Sequence, residues 1–172
     1  MQPSIHHEEA STVTSKVEYQ SPIGVIEIVG TEEAIVSILF TDSDVVKNGL
    51  TDLTFQVVKD CYDELDEYFS GTRKEFTVPY ENEGTEFRRN VWQALTEIPY
   101  AQTASYRDIA RFIGNEKAVR AVGTANGKNK LSIIIPCHRI IGSNGTLTGY
   151  AGGLWRKEWL LAHEQKHTDL IF

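Results

Sequence analysis

Two cysteines are all that 172 residues contain. Their surroundings differ, so they do not make a disulfide framework, and free thiols in a reducing compartment follow more simply. No CxxC and no closely spaced pair of histidines stands beside either cysteine. A structural zinc site, which generally wants four ligands, is the poorer explanation for them. Long apolar runs are also missing: nothing approaches the roughly 20 residues a spanning helix needs, and the polar start MQPSIHHEEASTVTS lacks the apolar segment of a secretory signal. The chain reads as cytoplasmic, or nuclear in a eukaryote, with no membrane partner.

What is present is enough for a real core, since hydrophobic residues make up 41% of the chain, sufficient for one medium domain or two small ones. Basic residues are scarce in one half only. The net charge of −7 divides into residues 1–84, with 5 Lys and Arg against 17 Asp and Glu, and residues 85–172, with 12 against 7. An acidic first half joined to a basic second half leaves any approach to phosphates to the second. Ordinary surface variation is the alternative.

Residues 1–15 have no periodicity and are expected to be disordered, with His6 and His7 as solvated residues of no assigned role. The β-branched runs VEYQSPIGVIEIVG and AIVSILF, separated by GTEE, read as a hairpin. Phe55, Val58, Tyr62, Leu65 and Phe69 then recur at helical spacing and predict a helix that stops before Gly71. Cys61 sits beside that stripe as a small buried hydrophobe. In VPYENEGT a Pro, a Gly and an acidic cluster fall where the charge changes sign, which divides a 16–82 α/β domain from an 83–172 domain that is mainly helical.

In the second half Thr85 can cap a helix whose inward face is Phe87, Val91, Ala94, Leu95 and Ile98, ended by Pro99. Ser105 with Asp108 resembles a capping box opening SYRDIARFIG. Asn115 can cap a further short helix over about residues 116–126, and two short helices joined by GNEK have the proportions of a helix-turn-helix. The fold class expected is therefore α+β: a hairpin or sheet with a helix, then a mainly helical domain. Projected at about 100° per residue, the last of these helices turns Ala118, Ala121, Val122 and Ala125 inward and Arg120, Gly123, Thr124 and Gly127 outward. One long cation among small residues suits close approach to nucleic acid. A solvent-facing Arg on a closely packed helix fits equally well.

LSIII reads as a strand buried on both faces, ended by Pro136, with Cys137 at its exit. An ordinary thiol has a pKa of about 8.5, so attack at neutral pH calls for a base, a cation or helix-terminal amides nearby. His138 and Arg139 are candidates. Neighbours in an extended segment point apart, so His138 can serve Cys137 only if the backbone turns or a water bridges them, and an acid elsewhere should orient the imidazole. A buried, inert cysteine remains the alternative.

Pro136-Cys137-His138-Arg139 after an apolar run, GYAGG at 149–153 and KEWLLAHE at 157–164, in that order after SYRDIA and RAVG, resemble the O6-alkylguanine-DNA alkyltransferases. The matching motifs run from about Phe87 to Glu164, and the preceding hairpin and helix resemble that family's more variable N-terminal domain. The resemblance implies direct DNA repair, in which the Cys137 thiolate takes the alkyl group from O6 of guanine, with O4-alkylthymine as a second substrate, once and irreversibly, without any cofactor. It implies that His138 is a base working through water, Glu164 the carboxylate orienting it, and Asn129 a brace for the turn before the active-site strand. Tyr106 would donate to a flipped base and Arg120 would fill the space left in the duplex, from a recognition helix in the minor groove. Arg107, Asn115 and Ser143 match backbone-contacting positions. Tyr150 would wall the pocket, and the N–H groups of Ile140 and Ala151 would donate to the base.

Two departures accompany the likeness. Ala151 stands where some members have Ser, which leaves only a backbone donor, and the cysteine ligands of a structural zinc are missing, so no metal is expected. Trp155 and Trp159 fall in the final helix, where packing is the default. The expected partner is double-stranded DNA carrying O6-alkylguanine, met by a protein that is a monomer away from DNA. Two other classes stand beside this one: alkyltransferase-like proteins, which bind alkylated DNA without reacting and lack the cysteine, and an unrelated thiol hydrolase, which would leave Arg120 unexplained.

Overall fold

The first β-branched run folds back on itself. In this computed structural model, which describes residues 13–168, the run is two strands, β1 (Ser15–Ser21) and β2 (Gly24–Gly30), rather than one arm of a hairpin. Pro22 and Ile23 make the turn, where Ser21 Oγ donates to Gly24 O and Gly24 takes φ +116°, a conformation that favours glycine. β3 (Ile35–Phe40) completes an antiparallel sheet in the order β1-β2-β3. His6, His7 and the expected disordered start up to residue 12 lie outside the described residues.

The free edge of β3 is covered by segments from further along the chain. Ile35 bonds with Pro79 and Glu81, and Ile38 with Lys130 and Ser132. A sheet edge is thereby paired, and the stretch leading to Cys137 is held against the N-terminal sheet. α1 (Gln56–Phe69) covers the sheet with Val58, Cys61, Leu65, Tyr68 and Phe69 buried. Phe55 caps the helix and Tyr62 is only partly buried, so the buried stripe is shifted toward Cys61 and Tyr68 from the one expected.

α2 (Glu86–Leu95) opens on Thr85, whose side chain accepts from Arg88 N, and buries Val91, Ala94 and Leu95 as predicted. The capping box of Ser105 and Asp108 is formed at α3 (Tyr106–Phe112). Asn115 caps nothing with its side chain: it lies in the turn, and α4 (Val119–Gly127) begins after Ala118. Ala121 is exposed, and Asn126 takes the inward place beside Val122 and Ala125. The helix-turn-helix of α3 and α4 is tied to α2 by Trp92 Nε1, which donates to Ala125 O at 2.8 Å.

LSIII is not a continuous strand. Leu131 and Ser132 meet β3, but Ile133 then turns with φ +73° and the chain folds tightly, with Ile135 N donating to Leu131 O. A β-branched residue in this region costs about 1–2 kcal/mol and persists only where its surroundings hold it. Cys137–Arg139 form one turn of 3-10 helix, followed by β5 (Ile140–Ile141), parallel to β4 (Ala104–Ser105). α5 (Leu154–Lys166) ends the described fold. Trp159 packs on Phe69 and His163, whereas Trp155 is 56% exposed and lies against Arg156, contrary to the packing expected of it.

Cys61 is wholly buried, and burial together with the Glu64 carboxylate pushes its thiol far up, away from reactivity. Cys61→Ala should cost about 1–2 kcal/mol in urea unfolding, as a small core truncation does. It should leave the chemistry at Cys137 unchanged, and a loss of that chemistry without unfolding would contradict a purely structural Cys61.

Candidate functional site

Cys137 lies under the helix-turn-helix. Its thiol lines a cavity of about 290 Å³ with Tyr106 of α3, Gly123, Asn126 and Gly127 of α4, Asn129, and the loop residues Gly149, Tyr150 and Ala151. Asn129 does the local bracing. Its Oδ1 accepts from Leu131 N, and its amide lies within hydrogen-bonding distance of Leu131 O, Ile135 O and, at 3.2 Å, Cys137 Sγ. One side chain thus joins the end of α4 to the turn and the thiol.

The 3-10 turn meets the condition set for His138. With the backbone curled, Cys137, His138 and Arg139 are all buried, and His138 Nε2 lies 2.6 Å from Glu164 Oε2. A carboxylate can only accept, so Nε2 carries the proton and Nδ1 keeps its lone pair. That Nδ1 is buried and has no partner among the described residues. Burial holds the ring below its ordinary pKa, against the pull of Glu164, so the imidazole is neutral.

Glu164 is wholly buried and satisfied on both oxygens. Oε1 accepts from Ala101 N at 3.1 Å and Arg139 Nε at 2.8 Å; Oε2 accepts from Tyr68 Oη at 2.7 Å, His138 and Arg139 Nη2 at 3.1 Å. Burial alone would raise this carboxyl, but His138 and the Arg139 guanidinium outweigh it and hold the group well below the usual range. Ala101, like Ile133, has positive φ, at 64°. Both such non-glycine positions among the described residues adjoin the site.

Burial raises the Cys137 thiol, while the Asn129 hydrogen bond and the Lys157 charge oppose the rise. Lys157 was not anticipated. It is wholly buried, donates to Thr148 O at 3.0 Å, and is drawn down to about 8 by desolvation. The signal was in the sequence: Lys157, Leu160 and Glu164 fall at +3 and +4 on one buried face of α5, with charges at both ends. Thr148 was missed too; its hydroxyl lies 2.6 Å from the Tyr106 hydroxyl. Asn126 Oδ1 is a further buried, unpartnered atom at the cavity. Tyr68 could not have been found from local pattern, because its partner is 96 residues away.

The remaining expected residues are spread more widely. Arg120 and Asn115 are exposed, Arg120 sharing the outer face of α4 with Thr124 and Gly127. Arg107 and Ser143 line a separate surface depression of about 370 Å³ beside α3. Ile140 is buried, pairs with Ala104 in the two-stranded sheet and does not line the cavity. Among the described residues no group of three His, Cys, Asp or Glu is placed to hold a metal, and no helix is long and apolar enough to cross a membrane.

Fold and cavity together define a two-part α+β protein with a recessed thiol beneath a helix-turn-helix, backed by a buried imidazole and carboxylate. The chain belongs to the 6-O-methylguanine DNA methyltransferase family: the model of its DNA binding domain matches residues 86–166, and that of its ribonuclease-like domain matches residues 17–81. It is 46% identical over 150 residues to a methylated-DNA–protein-cysteine methyltransferase of Methanosarcina acetivorans, covering 85% of this chain and 95% of that one. Its fold is similar to the crystal structure of Mycobacterium tuberculosis O6-methylguanine methyltransferase, with TM-score 0.81 and 36% identity over 92% of this chain and 97% of that one. A structure of Mycobacterium tuberculosis OGT in complex with DNA matches with TM-score 0.78 and 40% identity, over 87% of this chain and 92% of that one.

Charged Lys157 is disfavoured by burial, so its folded pKa lies below its unfolded one. The contribution of Lys157 to stability is therefore lowest below about pH 8 and rises as pH climbs toward the ordinary lysine value. Lys157→Met should raise the unfolding temperature near neutral pH while moving Cys137 thiolate formation, followed by ultraviolet absorbance, to higher pH. An unmoved thiolate titration would remove Lys157 from the tuning of the thiol.

Proposed function

We propose that this protein repairs alkylated DNA by moving the alkyl group from O6 of guanine to Cys137, once per molecule. The observation that carries the reading is a thiol in a cavity under the helix-turn-helix, backed by His138 and Glu164. His138 Nδ1, holding its lone pair, takes the thiol proton through a water. The sulfur then bonds to the alkyl carbon, the carbon–oxygen bond breaks, and its electron pair stays with the guanine, which leaves as the anion and takes a proton from solvent to become neutral guanine, while the imidazolium returns its proton to solvent. Glu164 stabilises the imidazolium that forms. The product is a thioether, which no group in the cavity can cleave, and the reaction needs no cofactor.

The base must leave the stack to reach the sulfur. The cavity suits a polar heterocycle, since Asn126 Oδ1 is buried there without a partner among the described residues. Tyr106 would donate to the base by exchanging its bond with Thr148, and the Ala151 backbone N–H would donate from the loop. Asn129 positions the thiol. Ile140 keeps a backbone role only, as its side chain is buried away from the cavity. Exposed Arg120, among small residues, is suited to fill the space left in the duplex, with Arg107, Asn115 and Ser143 contacting the backbone around it. The partner is double-stranded DNA carrying O6-alkylguanine, with O4-alkylthymine as a second substrate, met by a monomer in the cytoplasm, or in the nucleus of a eukaryote.

Incubation with O6-benzylguanine should add one benzyl group to Cys137 by mass spectrometry. Cys137→Ser should abolish the transfer while keeping affinity for alkylated duplex, and transfer by that variant would show the nucleophile to be another residue. Arg120→Ala should slow repair of duplex DNA by about tenfold or more, with reaction of the free base nearly unchanged, since only the duplex requires a base to be displaced. Equal losses in both assays would make Arg120 structural.

A further inference from the structure

Arg156, next to Lys157 on α5, reaches the other way, into the N-terminal sheet. Its Nε donates to Ile23 O at 2.8 Å in the β1–β2 turn, and its Nη1 donates to Gly152 O at 2.9 Å in the loop before α5. The guanidinium carbon lies 4.6 Å from the ring centroid of Phe40, the last residue of β3, and 4.6 Å from that of Trp155. Phe40 in turn meets the edge of Tyr150, with centroids 6.4 Å apart. Two glycines leave room for this arrangement. A Cβ on Gly24 would stand 2.8 Å from Arg156 Nη2, and one on Gly152 would stand 2.9 Å from the rings of both Phe40 and Tyr150.

The loop between Thr148 and Gly152 has no regular structure, yet Tyr150 and Ala151 in its middle wall the cavity. Its ends are held by adjacent residues of one helix. Lys157 holds Thr148 from the core side, and Arg156 holds Gly152 from the sheet side. None of the hydrogen bonds or ring contacts of Arg156 involves Cys137, His138 or Glu164.

We infer that Arg156 is a positioning residue through which the N-terminal sheet sets the Tyr150–Ala151 wall that receives the base. The role rests on the transfer reaction proposed above, and it assigns the acidic N-terminal half a part in base capture without contact to DNA. Because the staple acts on the wall and not on the thiol, its loss weakens base binding and leaves thiol activation as it was.

The test is single-turnover benzylation by the full chain across a range of O6-benzylguanine concentrations, with the wild type run in parallel. Arg156→Leu should raise the half-saturating concentration about fivefold or more, the scale of a lost charged hydrogen bond, with the limiting rate within about twofold. Iodoacetamide labelling of Cys137 should keep its wild-type pH profile. Arg156→Lys, which can still donate to Ile23 and lie over Phe40, should recover part of the loss. Phe40→Leu should show the same split from the other side of the contact, and it serves as the test if Arg156→Leu does not fold. An unchanged half-saturating concentration, or a fall in limiting rate alone, would overturn the inference. A wild type that takes no benzyl group would overturn the transfer reading itself, and this inference with it.

Discussion

A wholly buried carboxylate is the constraint around which this molecule is arranged. An uncompensated ion in the interior costs several kcal/mol, so Glu164 can exist there only if its lone pairs are met. The donors come from separate parts of the chain: Tyr68 on α1, Ala101 after α2, and His138 and Arg139 in the 3-10 turn. Satisfying one side chain brings the N-terminal helix, the strained turn at Ala101 and the cysteine turn to one point on α5. The packing of the two halves and the orientation of His138 are thus one requirement. Ile133 and Ala101 can hold unfavourable φ values because the bonds on either side over-determine their backbones.

The thiol sits in a balance set by the same burial. Desolvation favours the protonated form, and Lys157 and Asn129 pull toward thiolate without overcoming it. A neutral His138, with one nitrogen tied to Glu164 and the other buried without a partner among the described residues, keeps one lone pair free to accept a proton. A cysteine held in reserve for one acceptor reaction, as proposed above, gains from this arrangement. A resting thiol reacts poorly with stray oxidants and electrophiles.

Local order was legible in the sequence where local physics decides it. Thr85, Ser105 and Asp108 cap the helices they were expected to cap, because capping depends on residues within one turn. Cys61 followed from helical spacing in the same way. LSIII was misread because an apolar run does not reveal a left-handed residue, and Ile133 adopts that conformation only under long-range bonding to β3. Asn115 failed as a cap because α4 starts later than its composition suggests. His138 was a candidate from its place beside Cys137, and Glu164 was reached through family likeness, but Tyr68 and Thr148 were not reached at all, since nothing near them in sequence hints at partners 96 and 42 residues away.

The division of charge along the chain takes on a physical meaning in this setting. The basic half presents exposed Arg107, Arg111, Lys117, Arg120 and Lys128 on or beside the helix-turn-helix, whereas Arg139, Arg156 and Lys157 are turned inward to hold the cavity. Cations of one half therefore do two different jobs, and a net charge counts them alike. The acidic half reaches the site by backbone, ring and one hydroxyl rather than by its carboxylates: Ile38 carries the Leu131 segment, the Tyr68 hydroxyl donates to Glu164, and Ile23 and Phe40 hold Arg156. A domain that would repel phosphates can still shape the cavity, because these contacts reach its supporting segments, at Leu131, Glu164 and Gly152, without placing a carboxylate of the acidic half in its lining.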